Sequence, residues 1–303
     1  MTTSPSNVNN ETLQPVTVIG LGPMGQALAG AFLGKGHPVT VWNRTAAKAD
    51  TLVSQGAVRA ETVSEAIAAS PLVLICVLDY NAVRSILASS ADALSGRTLV
   101  NLTADTPANA RQTAAWAAEH DIAYLDGAIM TPTPTIGTSD AVVLYSGPEE
   151  VFEAHRSTLA SIGGTASYLG EDPGRAAAYD VALLDLYWTT MSGYAHSLAL
   201  ARTEQISARE LAVFAKGIAA ILPDIMTLLA DQMDEGQYPG DASNLLSAAA
   251  GMEHIIQAAE DRGIDASVMK AAKALAQRAI DAGYGSGGFL RIAEMIGLGP
   301  SKK

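Results

Sequence analysis

Three glycines that follow a short apolar segment are the first residues whose spacing could support chemistry. Residues 16–25 read VTVIGLGPMG, a G-x-G-x-x-G pattern directly after a candidate strand and before a helix that Pro23 can open. There Gly20 permits a tight turn, Gly22 lets the backbone approach a pyrophosphate, and Gly25 lets helix and strand pack closely. The alternative is a tight turn without a ligand. We expect a dinucleotide-binding turn whose amides hold the pyrophosphate and whose residues are Gly20, Leu21, Gly22, Pro23, Met24 and Gly25.

The residues after the second candidate strand indicate which dinucleotide is bound. The chain reads Asn43-Arg44-Thr45 there, with Lys48 one helical turn later, whereas proteins that prefer NAD carry Asp or Glu for the ribose hydroxyls. A carboxylate would repel a 2′-phosphate, while a guanidinium offers it a two-pronged hydrogen-bonding site. The pattern predicts NADPH or NADP+ as the cofactor; the alternative is a solvent-exposed loop arginine.

Further candidate residues follow the other strands, because ligands of parallel sheets gather at the carboxyl ends of the strands. Val77 and Leu78 are expected to contact the cofactor there. Asn101 is predicted to face the nicotinamide as a cofactor-binding and catalytic residue, with the capping of a loop as the alternative. Thr103 and Asp105 are more typical of caps for the helix that Pro107 begins.

Two acids lie inside a long helical segment that starts near Arg175. Asp180 shares its helix face with apolar and aromatic residues, and a carboxyl in such surroundings is costly without a partner or a task. Asp185 is rotated by roughly 140° from Asp180, so it is expected at the surface or in an ion pair. We predict that Asp180 is catalytic and that its face forms a substrate pocket, with the residues Leu184, Tyr187, Trp188 and Met191.

The elements that must position these residues change character along the chain. Up to about residue 172, β-branched segments alternate with Ala-rich amphipathic ones, which predicts an α/β domain with a parallel sheet covered on both faces. After that the pattern is helical almost to the end. The expected strands are Val16–Ile19, Val39–Trp42, Leu72–Leu78, Thr98–Leu102, Ala123–Ala128 and Ala141–Tyr145. The expected divisions are a flexible tail (1–14), a cofactor domain (15–172), a long interdomain helix (173–202) and an all-helical domain (203–303) with helices near 207–234, 243–262, 267–283 and 288–297.

The overall composition excludes several classes of protein. A net charge of −12 disfavours nucleic acid as a partner, because phosphate backbones need clustered Lys and Arg. No Cys/His cluster has metal-ligand spacing, so no metal is expected, and the single cysteine, Cys76, fits a reducing, cytoplasmic location. The first fifteen residues lack a secretory pattern, and no apolar run approaches the ~18 residues of a membrane span.

Several of these segments together resemble a known superfamily. The series GLGPMG, VWNRT, VNLT, DGAI and YLGEDPG is similar to the β-hydroxyacid dehydrogenases, and YPGD, MEHII, KALAQRAI and GYGSGGF extend the likeness to NADPH-dependent imine reductases. The resemblance covers nearly all of residues 15–297. It implies a Rossmann-type domain, a long helix, a helical domain like that of 6-phosphogluconate dehydrogenase, and an intertwined homodimer whose active sites form between subunits. It also implies an active-site role for Asn101.

One departure within the superfamily indicates the chemistry. Hydroxyacid dehydrogenases carry a catalytic lysine early in the long helix, but this chain has no lysine between Lys48 and Lys216, and Asp180 lies near that place. Imine reductases of the Asp type show this substitution, which implies reduction of cyclic imines or iminium ions, or reductive amination. A β-hydroxyacid dehydrogenase-like enzyme and a non-catalytic NADP(H)-binding protein are the alternatives. Pocket residues expected from the partner subunit are Ile225, Leu229 and Met252.

Overall fold

The computed structural model describes residues 13–297, and the chain divides after Asp185 into two compact units. Most of the predicted tail, residues 1–12, lies outside the described residues. Gln14, also assigned to that tail, is anchored: its side-chain oxygen contacts His155 Nδ1 at 3.2 Å and accepts from Thr158 Oγ1 at 2.9 Å. Gln14 therefore packs against the helix Glu149–Leu159 of the first unit.

The first unit contains an eight-stranded sheet in the order β3-β2-β1-β4-β5-β6-β7-β8. Its strands are β1 (Val16–Ile19), β2 (Val39–Trp42), β3 (Val58–Arg59), β4 (Leu72–Ile75), β5 (Thr98–Asn101), β6 (Ala123–Ile129), β7 (Val142–Ser146) and β8 (Thr165–Tyr168). All neighbouring pairs are parallel except β6 and β7. The prediction of a parallel sheet is thus confirmed for most of the sheet and wrong for β7. The connection 130–141 holds only a short 3-10 turn, Thr133–Thr135, and lacks the α-helix that usually forms a parallel crossover.

The sequence prediction missed two strands and placed some ends differently. β3 has only two residues, and β8 is only partly buried along its length, so neither shows the strong apolar run of the inner strands. The segment expected to continue to Leu78 ends as a strand at Ile75, and the one expected to continue to Leu102 ends at Asn101. The residues beyond these ends form the loops at the carboxyl edge of the sheet.

Helices cover both faces of this sheet, since separate apolar clusters lie on its two sides. The helices of the first unit, up to the long helix, are α1 (Pro23–Gly34), α2 (Asp50–Ser54), α3 (Val63–Ala68), α4 (Tyr80–Ala88), α5 (Ala91–Leu94), α6 (Pro107–Glu119) and α7 (Glu149–Leu159). Local sequence sets their starts: Pro23 and Pro107 open α1 and α6, and the Asp79 and Thr106 side chains cap α4 and α6.

The strand register aligns one row of residues across the carboxyl half of the sheet. Trp42 pairs with Ile19, Ile19 with Ile75, Ile75 with Asn101, and Asn101 with Asp126. Residues in register on parallel strands point to the same face. The glycine turn, the 43–45 segment and the loops after β4 and β5 therefore leave the sheet at one edge.

The long helix, α8 (Arg175–Thr203), forms with nearly the predicted bounds, and the division between the two units falls inside it. The second unit continues with α9 (Ala208–Glu235), α10 (Leu245–Glu260), α11 (Ser267–Ala279) and α12 (Ala293–Ile296). The end of the helix expected near 267–283 is a π-helical turn, Ile280–Tyr284, and the start of the one expected near 288–297 is a 3-10 turn, Phe289–Ile292. Gly283 has a φ of +93°, which interrupts a regular α-helix there.

The helix α9 has no uninterrupted apolar run of ~18 residues, but its average composition is strongly apolar. It has 28 residues, and an 18-residue window with a mean hydropathy of 1.7 satisfies the length and composition criteria for a membrane span. As the structure describes it, none of its residues is buried. Soluble monomers rarely leave an apolar helix this exposed.

Candidate active site

The glycine turn has the geometry that close cofactor approach demands. Gly20 has a φ of +94°, and a Cβ there would lie 2.2 Å from the Cys76 carbonyl oxygen; a Cβ on Gly25 would lie 1.9 Å from the Gly20 oxygen. A Cβ on Gly22 would meet nothing within 4 Å, so this position opens into free space. None of the described side chains caps the N-terminus of α1, which leaves its first amides available. This combination fits a pyrophosphate.

Asn43 connects the end of β2 to the glycine turn. Its Oδ1 accepts a hydrogen bond from the Leu21 amide at 2.9 Å, and its Nδ2 donates to the Thr45 carbonyl at 3.0 Å. Both ends of the side-chain amide are therefore engaged within the protein. Nδ2 carries a second hydrogen that it can still donate, so direct binding of the 2′-phosphate by Asn43 stays a prediction.

Arg44, Thr45 and Lys48 are exposed at the same edge of the sheet. The ion pairs among residues 13–297 include neither Arg44 nor Lys48. Two cations that form no ion pair with a described carboxylate are a favourable setting for a phosphate in a chain with a net charge of −12. These residues fit an adenosine 2′-phosphate.

The loop after β4 lies beside the glycine turn. A Cβ on Gly20 would come within 2.7 Å of Val77 Cγ1, and the Val77 amide donates to Thr103 Oγ1 at 3.1 Å. Leu78 is 91% exposed, an unusual position for a leucine and available to a bound ligand. Thr103 therefore joins the loops after β4 and β5 rather than capping α6, whose cap is Thr106. Burial raises the pKa of the Cys76 thiol to about 11, so it stays protonated near neutral pH.

Asn101 is held by hydrogen bonds within the protein. Its side chain is fully buried; Nδ2 donates to the Tyr124 hydroxyl at 3.2 Å, and Oδ1 accepts from the Thr103 amide at 3.1 Å. Both ends of the Asn101 amide are thus engaged within the protein, and its contact with the nicotinamide stays a prediction. The alternative drawn from the sequence, that Asn101 caps a loop, matches this geometry.

Asp180 is buried, as the sequence analysis predicts, with 4% of the residue exposed. It follows Ala176 by one helical turn, and Ala176 packs with Ala128 of β6 and Leu144 of β7. Burial raises the pKa of the Asp180 carboxyl above its usual value. The first turns of α8 thus hold a carboxyl, with an increased affinity for a proton, over the end of the sheet where the candidate cofactor residues gather.

The other residues of the predicted pocket are less enclosed than expected. Leu184 is half-buried, whereas Tyr187, Trp188 and Met191 are exposed in the single chain. The Tyr187 and Trp188 rings contact each other edge to face, with centroids 5.1 Å apart. Asp185 is exposed, which confirms its assignment to the surface. Of the residues expected from a partner, Ile225 is exposed and Leu229 and Met252 are half-buried.

The sequence analysis missed a buried acid at this edge. Asp126 of β6 is 2% exposed, and its Oδ1 accepts hydrogen bonds from the hydroxyls of Tyr80 at 2.8 Å and Tyr124 at 2.9 Å. The feature that could have indicated it is a carboxyl within an apolar strand, in the stretch DGAI. No group of three or more His, Cys, Asp or Glu side chains among residues 13–297 is arranged to hold a metal ion.

The arrangement can hold a phosphorylated dinucleotide at the carboxyl edge of the sheet and present a proton-binding carboxyl from α8. Aspartate has no positive charge with which to hold an oxyanion, which distinguishes it from a lysine in the same role. A buried carboxyl pairs favourably with a cationic nitrogen, or gives a proton to a neutral one. The site is therefore suited to C=N chemistry rather than to an alkoxide.

Family models match both parts of the chain. Residues 15–170 match the NAD binding domain of 6-phosphogluconate dehydrogenase, and residues 172–297 match the NADPH-dependent reductive aminase-like C-terminal domain. The boundary between the two matches precedes the first residue of α8, Arg175.

Relatives match over almost the whole length. The NADPH-dependent reductive aminase of Aspergillus oryzae is 36% identical, over 94% of this chain and 97% of its own. A structure of an Aspergillus terreus reductive aminase with cyclohexanone and allyl amine superposes with a TM-score of 0.89 at 39% identity, covering 94% of this chain and 100% of the other. A Myxococcus stipitatus imine reductase in complex with NADP+ gives a TM-score of 0.89 at 36% identity, over 93% of this chain and 99% of the other.

Proposed function

Because this chain belongs to the family of NADPH-dependent reductive aminases and imine reductases, we propose that Asp180 acts on the nitrogen of its imine substrate. The protein is an NADPH-dependent oxidoreductase that acts on C=N bonds, by imine reduction or reductive amination. The proposed substrates are cyclic imines or iminium ions. The burial of Asp180 is the observation that carries the assignment of its role.

The charge requirements of the reaction favour a carboxyl at this place. Reduction of a ketone produces an alkoxide, which needs a proton donor or an oxyanion clamp. An iminium ion already carries its proton and positive charge, so a carboxylate stabilises it, and a carboxylic acid converts a neutral imine into it. A pKa raised by burial lets Asp180 hold a proton closer to neutral pH than an exposed aspartate would. We assign to Asp180 one of these two roles, proton donor or iminium partner.

The cofactor assignment divides the candidate residues by what they offer. The free amides of Gly22, Met24 and Gly25 at the start of α1 are assigned to the pyrophosphate, and Arg44, Thr45 and Lys48 to the 2′-phosphate. Val77 and Leu78 are assigned to the nicotinamide half. When bound, NADPH supplies a hydride to the substrate carbon. Asn43 and Asn101 also hold the turn and the β5 loop in place through the hydrogen bonds described above.

A substrate panel tests the proposed function. Purified protein is given NADPH with a cyclic imine, with a ketone and an amine together, and, in the reverse direction, NADP+ with a β-hydroxyacid. NADPH consumption on the imine is expected, and Asp180→Ala should lower turnover by about tenfold or more while Asp185→Ala, on the same helix, leaves it unchanged. Oxidation of the hydroxyacid without imine reduction would favour the dehydrogenase alternative, and cofactor binding without any turnover would favour a non-catalytic protein.

A second copy of this chain is proposed as the partner that covers α9. Its exposed apolar residues recur at roughly helical spacing and include Val213, Phe214, Ile218, Ile221 and Ile225. A soluble monomer rarely leaves so large an apolar surface in contact with water. The exposure of Tyr187, Trp188 and Met191 adds to the surface that a second copy would cover, and the assignment of Ile225, Leu229 and Met252 to a pocket depends on this dimer.

Light scattering during gel filtration tests the homodimer. We expect the mass of a dimer for the wild-type protein and of a monomer for Ile218→Asp. Asp231→Asn, on the same helix, is the control and should remain dimeric. A monomeric wild-type protein would contradict the proposal. Co-sedimentation with phospholipid vesicles would instead assign the apolar helix to a membrane surface.

A further inference from the structure

A buried polar cluster behind the β5 loop is not explained by the proposed reaction alone. Its side chains are Tyr80, Tyr124 and Asp126, each with at most 4% of the residue exposed. They adjoin Asn101, whose side chain is fully buried. We call these four residues the Asp126 cluster. Buried polar groups are costly unless they are paired, so such a cluster must contribute something that an apolar core would not.

Hydrogen bonds within the cluster converge on one oxygen. Tyr80 and Tyr124 both donate to Asp126 Oδ1, at 2.8 and 2.9 Å. Tyr80 is the first residue of α4, so its hydroxyl attaches the end of the β4–α4 loop to β6. Tyr124 donates its only hydroxyl proton to Asp126, and its oxygen is therefore free to accept a hydrogen bond from Asn101.

The hydrogen bonds continue from the cluster to the loops of the candidate site. Asn101 Nδ2 donates to the Tyr124 oxygen at 3.2 Å, and Asn101 Oδ1 accepts from the Thr103 amide at 3.1 Å. Thr103 Oγ1 in turn accepts from the Val77 amide at 3.1 Å. Val77 is the residue whose side chain lies against Gly20 in the cofactor turn. A continuous series of hydrogen bonds thus connects the Asp126 carboxyl to the backbone beside that turn.

The donors and acceptors in this series of hydrogen bonds fix the orientation of the Asn101 amide. The Thr103 amide requires the oxygen end of the Asn101 amide, and the Tyr124 oxygen requires the nitrogen end. The Asp126 carboxyl is the acceptor that directs the Tyr124 proton away from Asn101. Without it, Tyr124 could rotate its proton toward Asn101 Nδ2, and the hydrogen bond between these two residues would be lost.

We propose that Asp126 is a positioning residue, which acts through Tyr124 and Asn101 to align the loops after β4 and β5 for NADPH binding. Neither Asp126 nor Tyr124 is assigned a contact with the cofactor or the substrate. The inference rests on the proposed NADPH-dependent function for its ligand, but not on the identity of the substrate.

The electrostatic surroundings support a role beyond packing. Burial, above all, raises the pKa of Asp126 to about 7, and the two tyrosine hydrogen bonds oppose this rise while nearby negative charges add to it. The polar groups that face Asp126 come from the elements packed around it. They are Tyr80 on α4, Tyr124 on β6, Asn101 on β5, Ser146 on β7, Asp180 on α8 and Asp105 in the loop before α6. Ionisation of Asp126 near neutral pH changes how strongly it holds both hydroxyls, because a carboxylate accepts stronger hydrogen bonds than a neutral acid.

Calorimetric binding of NADPH to the full-length protein tests the proposal without any substrate. Tyr124→Phe breaks the link to Asn101 and should weaken NADPH binding by about tenfold. Asp126→Asn retains an acceptor oxygen and should stay within about threefold of wild type at pH 6, whereas Asp126→Leu should resemble or exceed Tyr124→Phe. Tyr145→Phe is the matched control, since Tyr145 is fully buried in the same sheet and its hydroxyl has no described hydrogen-bond partner.

Coupling between residues separates positioning from general stability. If Tyr124 acts through Asn101, the double variant Tyr124→Phe/Asn101→Ala should bind NADPH no more weakly than the weaker single variant. The proposal would be overturned if the double variant lost NADPH affinity by the product of the two single losses. It would also be overturned if Tyr145→Phe lost as much NADPH affinity as Tyr124→Phe, or if Tyr124→Phe bound NADPH like wild type. If Asp126→Leu fails to fold, the NADPH affinities of Tyr124→Phe and Asp126→Asn still support or overturn the proposal. NADPH binding without imine reduction by the wild type would refute the proposed function and leave this test intact.

Discussion

Replacing Asp126 with asparagine is expected to stabilise the protein at neutral and alkaline pH, although it removes a buried hydrogen-bonded acid. The pKa of Asp126 is raised from 3.8 to about 7 in the folded protein, chiefly by burial. Between these values the folded state holds a proton that the unfolded state has released, so folding weakens as the pH rises. The stabilisation from protonated Asp126 is complete below about pH 4 and lost above about pH 7.

The size of the effect follows from the shift in pKa. At 1.36 kcal/mol per unit, a shift of about three units disfavours ionised Asp126 in the folded state by as much as ~4 kcal/mol at pH 8.5. About half of this, ~2 kcal/mol, develops between pH 5.5 and 8.5, a range that avoids precipitation near the pI of about 4.8. Asparagine is neutral throughout and keeps an oxygen that can accept from Tyr80 and Tyr124.

Urea unfolding at pH 5.5, 7.0 and 8.5, followed by circular dichroism and tryptophan fluorescence, measures this difference. The advantage of Asp126→Asn over wild type should grow with pH by ~2 kcal/mol across the range. Asp185→Asn, an exposed site on α8, should show no such growth. An Asp126→Asn variant that is less stable than wild type by the same amount at every pH would refute the reasoning, because it would identify Asp126 as a carboxylate already ionised and held by both tyrosines.

Two further substitutions test the cofactor site. Arg44→Ala should raise the KM for NADPH by about tenfold and leave the KM for NADH nearly unchanged, because the guanidinium is assigned to the 2′-phosphate; equal changes in steady-state kinetics would contradict that assignment. Gly25→Ala should abolish NADPH binding and lower the melting temperature, since its Cβ would lie 1.9 Å from the Gly20 oxygen. Gly30→Ala, on the same helix, is the control: a Cβ there meets nothing within 4 Å, so the variant should be as stable as wild type or more stable by up to ~1 kcal/mol. A Gly25→Ala variant that folds and binds NADPH normally would refute the close approach of Gly25 to Gly20.

The sequence predicted those parts of the site that depend on local pattern. The glycine turn could be identified because its residues are adjacent in the chain and their types are restricted by backbone geometry. Asp180 could be identified because a carboxyl within an apolar helix face is unusual. The long helix followed from an uninterrupted stretch with one glycine and no proline.

The parts that the sequence did not predict depend on contacts between distant segments. Asp126 meets Tyr80 only because β6 and the start of α4 lie together at one edge of the sheet, and nothing in the local sequence indicates that pairing. The orientation of Asn101 into the protein depends on Tyr124, which is 23 residues away. The antiparallel β7 depends on the connection after β6, and an apolar strand reads alike in either direction. The exposure of Trp188 and α9 cannot follow from periodicity, since a covering subunit and a buried core give the same apolar pattern.

The most direct test of the account is the pH dependence of turnover for Asp180→Asn beside Asp185→Asn on a neutral cyclic imine. Asparagine preserves the size of the side chain but can neither donate a carboxylic proton nor carry a negative charge. We expect turnover by Asp180→Asn to fall by about tenfold or more. Its pH profile should no longer show the ionisation of a carboxyl with a raised pKa. The NADPH affinity of Asp180→Asn and the pH profile of Asp185→Asn should both match wild type. Wild-type turnover and an unchanged pH profile in Asp180→Asn would contradict the claim that this carboxyl acts on the substrate nitrogen.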